Sequence, residues 1–109
     1  MDARAMRKTF LAQLWSGLRL VWPVLSALLL SMVALGIVVG LREDWGLADS
    51  LYFAFVTGLT IGYGDLVPQT LLSRILAIVI GITGILLTGL VAAVGVQALL
   101  AAKRTDGER

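Results

Sequence analysis

The sequence predicts an all-α membrane protein in which two transmembrane helices flank a short re-entrant helix and a loop. Apolar residues make up 59% of the 109 residues, and the mean hydropathy of +0.94 is typical of a membrane protein. Two apolar runs, at about 21–41 and 71–102, each supply the roughly 20 residues that a spanning helix needs. The glycine-containing loop at 60–65 lies between them. Irregular backbone at this depth must be buried in protein or line a water-filled path.

Residues 1–20 are predicted to form an amphipathic helix that lies in the membrane interface. Apolar side chains recur there at four-residue spacing, and the basic side chains lie off that stripe. Trp15, Arg19 and Trp22 are residue types that favour the lipid headgroup level. A plain cytoplasmic extension of the first span is the alternative. A cleaved signal peptide is set aside, because the apolar run exceeds the roughly 7–15 residues of such peptides and no small-x-small site follows it.

The outer helix is predicted over 21–41, with Pro23 in its first turn, where a missing N–H is tolerated. Gly36 and Gly40 form a small-xxx-small pattern. This pattern predicts the close approach of another helix, although glycines are also simply common in membrane helices.

A short helix is predicted over 49–59, with Asp49 as its N-terminal cap. Its C-terminal end carries a partial negative charge and points towards the loop. In that loop, Gly62 and Gly64 can take left-handed dihedrals without a Cβ clash. When left- and right-handed backbone dihedrals alternate, successive carbonyl groups turn to the same side of the chain. Four such carbonyl columns around an axis would replace the hydration shell of a cation, which predicts a closed oligomer.

The inner helix is predicted over 71–102, roughly 48 Å long at 1.5 Å per residue and therefore longer than a hydrocarbon core of roughly 30 Å. It must tilt, bend or project from the membrane, and four glycines provide places to bend. The polar tail, 103–109, is expected to fray.

The motif Thr-Ile-Gly-Tyr-Gly-Asp at 60–65, followed by Pro68 and set between two spans, resembles the selectivity filter of potassium channels. The resemblance covers nearly the whole chain and is to the two-transmembrane pore domains of bacterial and archaeal channels. It implies a homotetramer in which backbone carbonyls replace water around K+, the mechanism known for these filters. The filter residues are then Thr60, Ile61, Gly62, Tyr63 and Gly64. K+ is expected at the first four of these five residues.

The resemblance also implies which residues support the filter: Asp65, Tyr52, Phe53 and Val56. Val56 stands where several relatives carry a glutamate that pairs with the filter aspartate, so that carboxyl pair cannot form. We therefore expect the filter to be held mainly by packing and by contacts of Asp65 with backbone. Tyr63 is expected to wedge its ring between neighbouring pore helices.

By the same resemblance, Gly84 falls at the gating hinge, ten residues past Arg74, and Gly89 is a second candidate hinge. Helical spacing below the hinge predicts a set of small or apolar residues along the cavity and the lower gate, with ordinary helix packing as the alternative. This set is Ile85, Thr88, Ala92, Val96 and Leu100.

The predicted function is passive, potassium-selective conduction. A non-selective cation channel of the same fold and a non-conducting subunit are the alternatives; a small multidrug exporter fits less well, since no acid lies in the apolar runs. No enzyme activity is expected, because Thr57, Thr60 and Ser73 lack a histidine or base partner. No cofactor is expected apart from permeant K+.

The expected partners are further copies of the chain, K+ and membrane lipid, with anionic lipid as a candidate; nucleic acid is not expected. Basic residues are concentrated before Trp22 and after Ala102. The positive-inside rule therefore places both termini of this multi-pass chain in the cytoplasm, in the plasma or inner membrane.

Overall fold

The computed structural model describes residues 2–107, which form three helices in succession. These are α1 (Ala3–Arg42), α2 (Leu47–Gly58) and α3 (Leu71–Gly107). Both α1 and α3 are long and apolar enough to cross a membrane. The all-α fold class with two spanning helices is therefore confirmed.

The first helix is continuous where the sequence predicted an interfacial helix over 1–20 and a separate span over 21–41. Its half-buried positions keep one helical phase through this boundary, from Leu14 and Leu18 to Val21 and then to buried Leu25. The burial pattern is therefore continuous across residues 20 and 21. Pro23 lies inside the helix and not in a first turn. The placement of the first turns in the membrane interface stays a prediction.

The described residues divide into two compact units, of which the larger is Ser26–Thr88. Its fully buried or nearly buried core brings together residues from all three helices: Met32, Val39, Phe53 and Ile80. Partly buried side chains complete this core: Leu29, Leu35, Trp45, Leu66, Leu76 and Ala77.

The glycine pattern of α1 packs against α2 in this unit. A Cβ added at Gly36 would lie 2.5 Å from the Cβ of Ala54, and one added at Gly40 would overlap the Ser50 hydroxyl. Real Cβ atoms do not tolerate such distances. The predicted close approach of a helix at these glycines is therefore confirmed, and the partner is α2 of the same chain.

The other unit contains the described residues up to Leu25 and from Gly89 onwards. Val94, Ala98 and Ala102 are buried along one face of α3. A Cβ added at Gly17 of α1 would lie 2.7 Å from a Val94 methyl group, so the two helices are in close contact here.

The inner helix continues to Gly107, beyond the boundary at residue 102 that the sequence predicted. The prediction that the tail frays from residue 103 is wrong for the described residues, since Lys103 and Arg104 extend the helix and the buried Ala102 anchors their turn. Residues 108 and 109 of the predicted tail lie outside the described residues, as does residue 1.

Candidate functional site

The helix α2 begins two residues earlier than the sequence predicted and ends one residue earlier. Its N-cap is Gly46, which offers no side-chain hydrogen bond, so the prediction that Asp49 caps this helix is wrong. Because the helix begins at Leu47, Asp49 falls in its first turn, where a carboxylate still stabilises the positive end of the helix dipole. The hydroxyl of Ser50 donates to the Gly46 carbonyl at 2.9 Å.

The loop after α2 is attached to the last turn of that helix by its backbone amides. The carbonyl of Val56 accepts two of them, from Ile61 at 2.9 Å and from Gly62 at 3.2 Å. The amide of Thr60 donates to the carbonyl of Thr57 at 3.1 Å. The start of the loop is therefore held in a fixed position at the negative end of the α2 dipole.

The backbone of the loop alternates in handedness. Thr60, Gly62 and Gly64 have φ values of 61°, 61° and 82°, whereas Ile61 and Tyr63 between them keep negative φ. The left-handed dihedrals predicted at the two glycines are confirmed. The sequence did not predict the same conformation at Thr60, where a β-branched residue rarely adopts it.

The loop residues are exposed in the single chain. The Tyr63 side chain is 70% exposed, and a Cβ added at Gly62 or Gly64 would meet nothing within 4 Å. The hydroxyl of Thr60 donates to the Leu59 carbonyl at 2.6 Å, which leaves its oxygen lone pairs available. The loop residues therefore lie at a surface that their own chain does not cover.

The far end of the loop is linked to α2 by a side-chain hydrogen bond. The Tyr52 hydroxyl donates to a carboxylate oxygen of Asp65 at 2.9 Å, across thirteen residues of sequence. This bond raises the pKa of Tyr52, and desolvation and the negative charge of Asp65 act in the same direction. The expectation that Asp65 contacts backbone is wrong, because its partner in the structure is this hydroxyl.

Phe53 and Val56, the other predicted support residues, face inward from α2. Both side chains are buried, and Phe53 belongs to the core. The Phe53 ring also packs against Trp45, with ring centroids 5.0 Å apart. From the sequence, Val56 was notable only because it replaces a glutamate of several relatives. In the structure, its backbone carbonyl oxygen accepts the hydrogen bonds that hold the loop.

A carboxylate that sequence reasoning missed connects the chain on either side of α2. Glu43, just after α1, accepts hydrogen bonds from the backbone amides of Gln69 and of Thr70, the latter at 3.2 Å. Thr70 in turn caps α3, since its hydroxyl accepts from the Ser73 amide at 3.3 Å. The signal in the sequence was a glutamate just after an apolar span.

The predicted hinge Gly84 lies at a close contact between helices. A Cβ added there would overlap the carbonyl of Gly58, the last residue of α2. Gly89, the second predicted hinge, has open space around it. The helix is continuous through both positions, and bending at either stays a prediction.

The predicted cavity and gate residues are all exposed on α3 in the single chain: Ile85, Thr88, Ala92, Val96 and Leu100. Val96 and Leu100 lie on the side of α3 opposite the buried Val94 and Ala98, because two residues correspond to about 200° of helical rotation. Val96 and Leu100 could therefore face an axis shared with other copies of the chain. Their role in lining a cavity or gate stays a prediction.

Together, these contacts produce a loop whose alternating backbone is held at its start by the Val56 carbonyl and at its end by the Tyr52 hydroxyl. Such a loop can offer a rigid series of oxygens to a cation, provided that further chains complete the coordination shell.

Comparison with known proteins identifies the family of membrane proteins to which this chain belongs. The family described as "Ion channel" matches residues 20–101, well over half of the chain, and the chain belongs to this family. Its members are channels and not enzymes.

Individual relatives are potassium channels. The chain is 50% identical over 44 residues to Two-pore potassium channel 1 of Arabidopsis thaliana, a match that covers 40% of this chain and 12% of the relative. It is 46% identical over 37 residues to a voltage-gated potassium channel of Aeropyrum pernix, covering 34% of this chain and 12% of the relative. The chain therefore spans about an eighth of the length of these curated relatives. No solved structure matches it at a significant level.

Proposed function

We propose that this chain forms a homotetrameric pore that conducts K+ selectively and passively, through a filter built from residues 60–64. The observation that carries the proposal is the alternation of positive φ at Thr60, Gly62 and Gly64 in a loop attached to the end of a buried helix. Similarity to potassium channels over part of the chain supports the choice of ion.

The physical basis is the replacement of water by backbone carbonyls. The oxygens of Thr60, Ile61, Gly62 and Tyr63 would surround a dehydrated K+, with four chains completing each shell. The negative end of the α2 dipole adds favourable potential beneath the filter, and the Tyr52–Asp65 bond limits its movement at the outer end. The proposal places both termini in the cytoplasm and the filter towards the outside of the plasma or inner membrane.

Flux from liposomes that contain the purified protein tests this function. We expect K+ to leave such liposomes much faster than Na+, and Ba2+ to block the flux. Equal rates for the two ions would favour a non-selective cation channel of the same fold. Absence of any flux from a well-assembled tetramer would favour a non-conducting subunit.

A matched pair of glycine variants locates the conducting site. Gly62→Ala adds a Cβ at φ 61°, where an L-residue costs roughly 1–2 kcal/mol, although no neighbouring atom obstructs it. We expect this variant to lose K+ selectivity or flux. Gly46→Ala is the control, because that glycine is also unobstructed but has a φ of −70°. Loss of K+ selectivity in Gly46→Ala would argue against a filter at residues 60–64. Unchanged K+ selectivity and flux in Gly62→Ala would argue against it as well.

A further inference from the structure

A groove between α1 and α3 combines apolar walls with polar side chains. It lies within the unit that contains the described residues up to Leu25 and from Gly89 onwards, and it has a volume of about 460 Å3. Most of its lining is apolar or small, but Gln13, Ser16 and Gln97 place uncharged hydrogen-bonding groups in it. All three of these side chains are exposed. The single chain therefore leaves these polar groups accessible.

The two carboxamides lack a hydrogen-bond partner among the described residues. The side chains of Gln13 and Gln97 form no hydrogen bond there. Both residues belong to helices that are long and apolar enough to cross a membrane. A carboxamide that loses water without gaining a partner is destabilising, and the hydrocarbon chains of lipid offer neither a donor nor an acceptor. We therefore expect protein to supply the missing partners.

Another side of α3 carries a ridge of exposed residues. Val91, Gly95 and Leu99 follow each other at four-residue spacing and so form one row along the helix surface. Val91 and Leu99 are 41% and 52% exposed, and a Cβ added at Gly95 would meet nothing within 4 Å. Gly95 and Leu99 are each two residues from Gln97, which corresponds to about 200° of helical rotation. The groove and the ridge are therefore different faces of the same chain.

We propose that the ridge of a neighbouring copy packs into this groove, with the Gln97 carboxamide hydrogen-bonded to the backbone of that copy at Gly95. This inference rests on the proposed tetramer. A closed ring of more than two identical chains needs two different faces that meet, and the groove and the ridge are such a pair. Glycine leaves the helix backbone unshielded, so a side chain of the next helix can approach it closely.

The depths of the two faces also agree. Rotation about an axis that runs along the helices keeps every residue at its own depth. The ridge at 91–99 therefore lies level with the groove, to which α3 contributes residues between 90 and 104. Gln97 is then less than one helical turn along the axis from Gly95 of the next copy, at 1.5 Å per residue.

Disulfide formation between introduced cysteines tests this contact in the full chain, which has no cysteine of its own. A protein with Gln97→Cys and Gly95→Cys is reconstituted in liposomes and oxidised. We expect a ladder of two, three and four linked chains on a non-reducing gel, because every contact of the ring joins two copies. A disulfide within one chain is excluded, since the two side chains point to opposite sides of α3.

A second pair and a control pair make the result decisive. Gln13→Cys with Leu99→Cys leaves Gln97 and Gly95 in place and should give the same ladder. Trp15→Cys with Leu99→Cys should give none, because Trp15 is exposed on α1 outside this groove, about 200° around the helix from Gln13. Absence of the ladder in both test pairs would overturn the proposal. An equal ladder in the control pair would also overturn it, since linking would then reflect random collision.

A bulky side chain on the ridge tests the packing without cysteines. Gly95→Leu fills space that is open in the single chain, so the helix content measured by circular dichroism should be retained. We expect the oligomer to dissociate at a lower temperature than the parent, as measured by size-exclusion chromatography after heating. Trp15→Leu, a change outside the groove, should leave this temperature unchanged. An unchanged dissociation temperature in Gly95→Leu would contradict the proposal.

The outcomes for this contact and for conduction are distinguishable. A tetramer that conducts K+ without forming the ladder overturns the proposed contact alone. A protein that forms the ladder without K+ flux overturns the proposed conduction alone.

Discussion

At the scale of single residues, Thr60 has a backbone conformation that is rare for a β-branched residue. A β-branched residue at φ 61° costs on the order of 1–3 kcal/mol, and such a conformation persists only where surrounding contacts enforce it. Those contacts are present: the amide of Thr60 and the next two amides all donate to carbonyls in the last turn of α2. Strain that is enforced in this way is typical of a functional site.

The Tyr52–Asp65 hydrogen bond leads to a prediction about pH. The neutral phenol is the donor, so the bond favours the protonated form and raises the pKa of Tyr52. The stabilisation that this bond provides is present below the usual tyrosine pKa of about 10 and is lost as the pH rises through the raised pKa.

Absorbance titration of the phenolate would measure this pKa, with Tyr63→Phe as the background, because Tyr52 is then the remaining tyrosine. We expect Asp65→Asn to lower the pKa of Tyr52 towards its usual value. An unchanged titration curve in Asp65→Asn would show that the bond is not formed in the assembled protein.

At the scale of elements, the end of α2 is fixed between α1 and α3 by contacts that only glycine permits. Met32 of α1 and Gly84 of α3 both lie against Gly58, the last residue of α2. Gly84 is therefore needed for packing in this structure, whether or not α3 also bends there. The position of the loop at 60–65 depends on this contact, since its first amides donate to the same turn of α2.

We predict opposite effects for two glycine-to-alanine changes in α3. Gly84→Ala should destabilise the protein by about 1–3 kcal/mol, because the new methyl group would overlap a backbone carbonyl that cannot move freely. Gly81→Ala is the matched control: its site is unobstructed, and alanine should stabilise the helix by about 0.5–1 kcal/mol. Thermal unfolding in detergent would measure both. A stable Gly84→Ala protein with altered gating would favour the hinge interpretation instead.

The Glu43 carboxylate provides a second element-scale prediction. It accepts amides from the residues that precede α3, so Glu43→Ala should leave these amides without an acceptor. We expect their hydrogen exchange to accelerate about tenfold, for a loss of roughly 1.4 kcal/mol.

Glu43→Gln should keep much of the protection in the same exchange experiment, because the amide oxygen can still accept. Asp44→Asn, a change at the adjacent position, should have no effect on these two amides. Unchanged exchange at Gln69 and Thr70 in Glu43→Ala would contradict the contact.

At the scale of the whole molecule, a single chain leaves its candidate site incomplete. In the proposed filter, Ile61 and Tyr63 are 47% and 70% exposed, and large apolar side chains are exposed along both spanning helices. Two spanning helices cannot enclose a pore, so conduction requires several copies around an axis. Lipid can cover part of the exposed surface, but it cannot complete an oxygen shell around a cation.

Assembly and ion binding should therefore be linked. A ligand that binds only the native assembly stabilises it by about 2.7 kcal/mol when its concentration is 100 times the dissociation constant. We predict that the tetramer dissociates at a higher temperature in K+ than in Na+ at equal ionic strength. Size-exclusion chromatography after heating would measure this, and Gly62→Ala should reduce the difference. Equal stability in the two salts would indicate that the assembled filter does not distinguish these ions.

The sequence by itself determined the features that depend on neighbouring residues along the chain. Apolar run length predicted the two spans, and the alternating glycines at 62 and 64 predicted the left-handed dihedrals that the loop adopts. The pattern at Gly36 and Gly40 predicted a close helix contact, since small residues at four-residue spacing share one helix face.

The tertiary structure decided the features that depend on distant residues. The bonds of Asp65 with Tyr52 and of Glu43 with the start of α3 join positions thirteen or more residues apart, and the contact of Gly84 with Gly58 joins two helices. Periodicity carries no information about such pairs, because they arise only when the helices pack. The sequence also misplaced the cap of α2, because the helix begins at Leu47 after Gly46, which offers no side-chain cap.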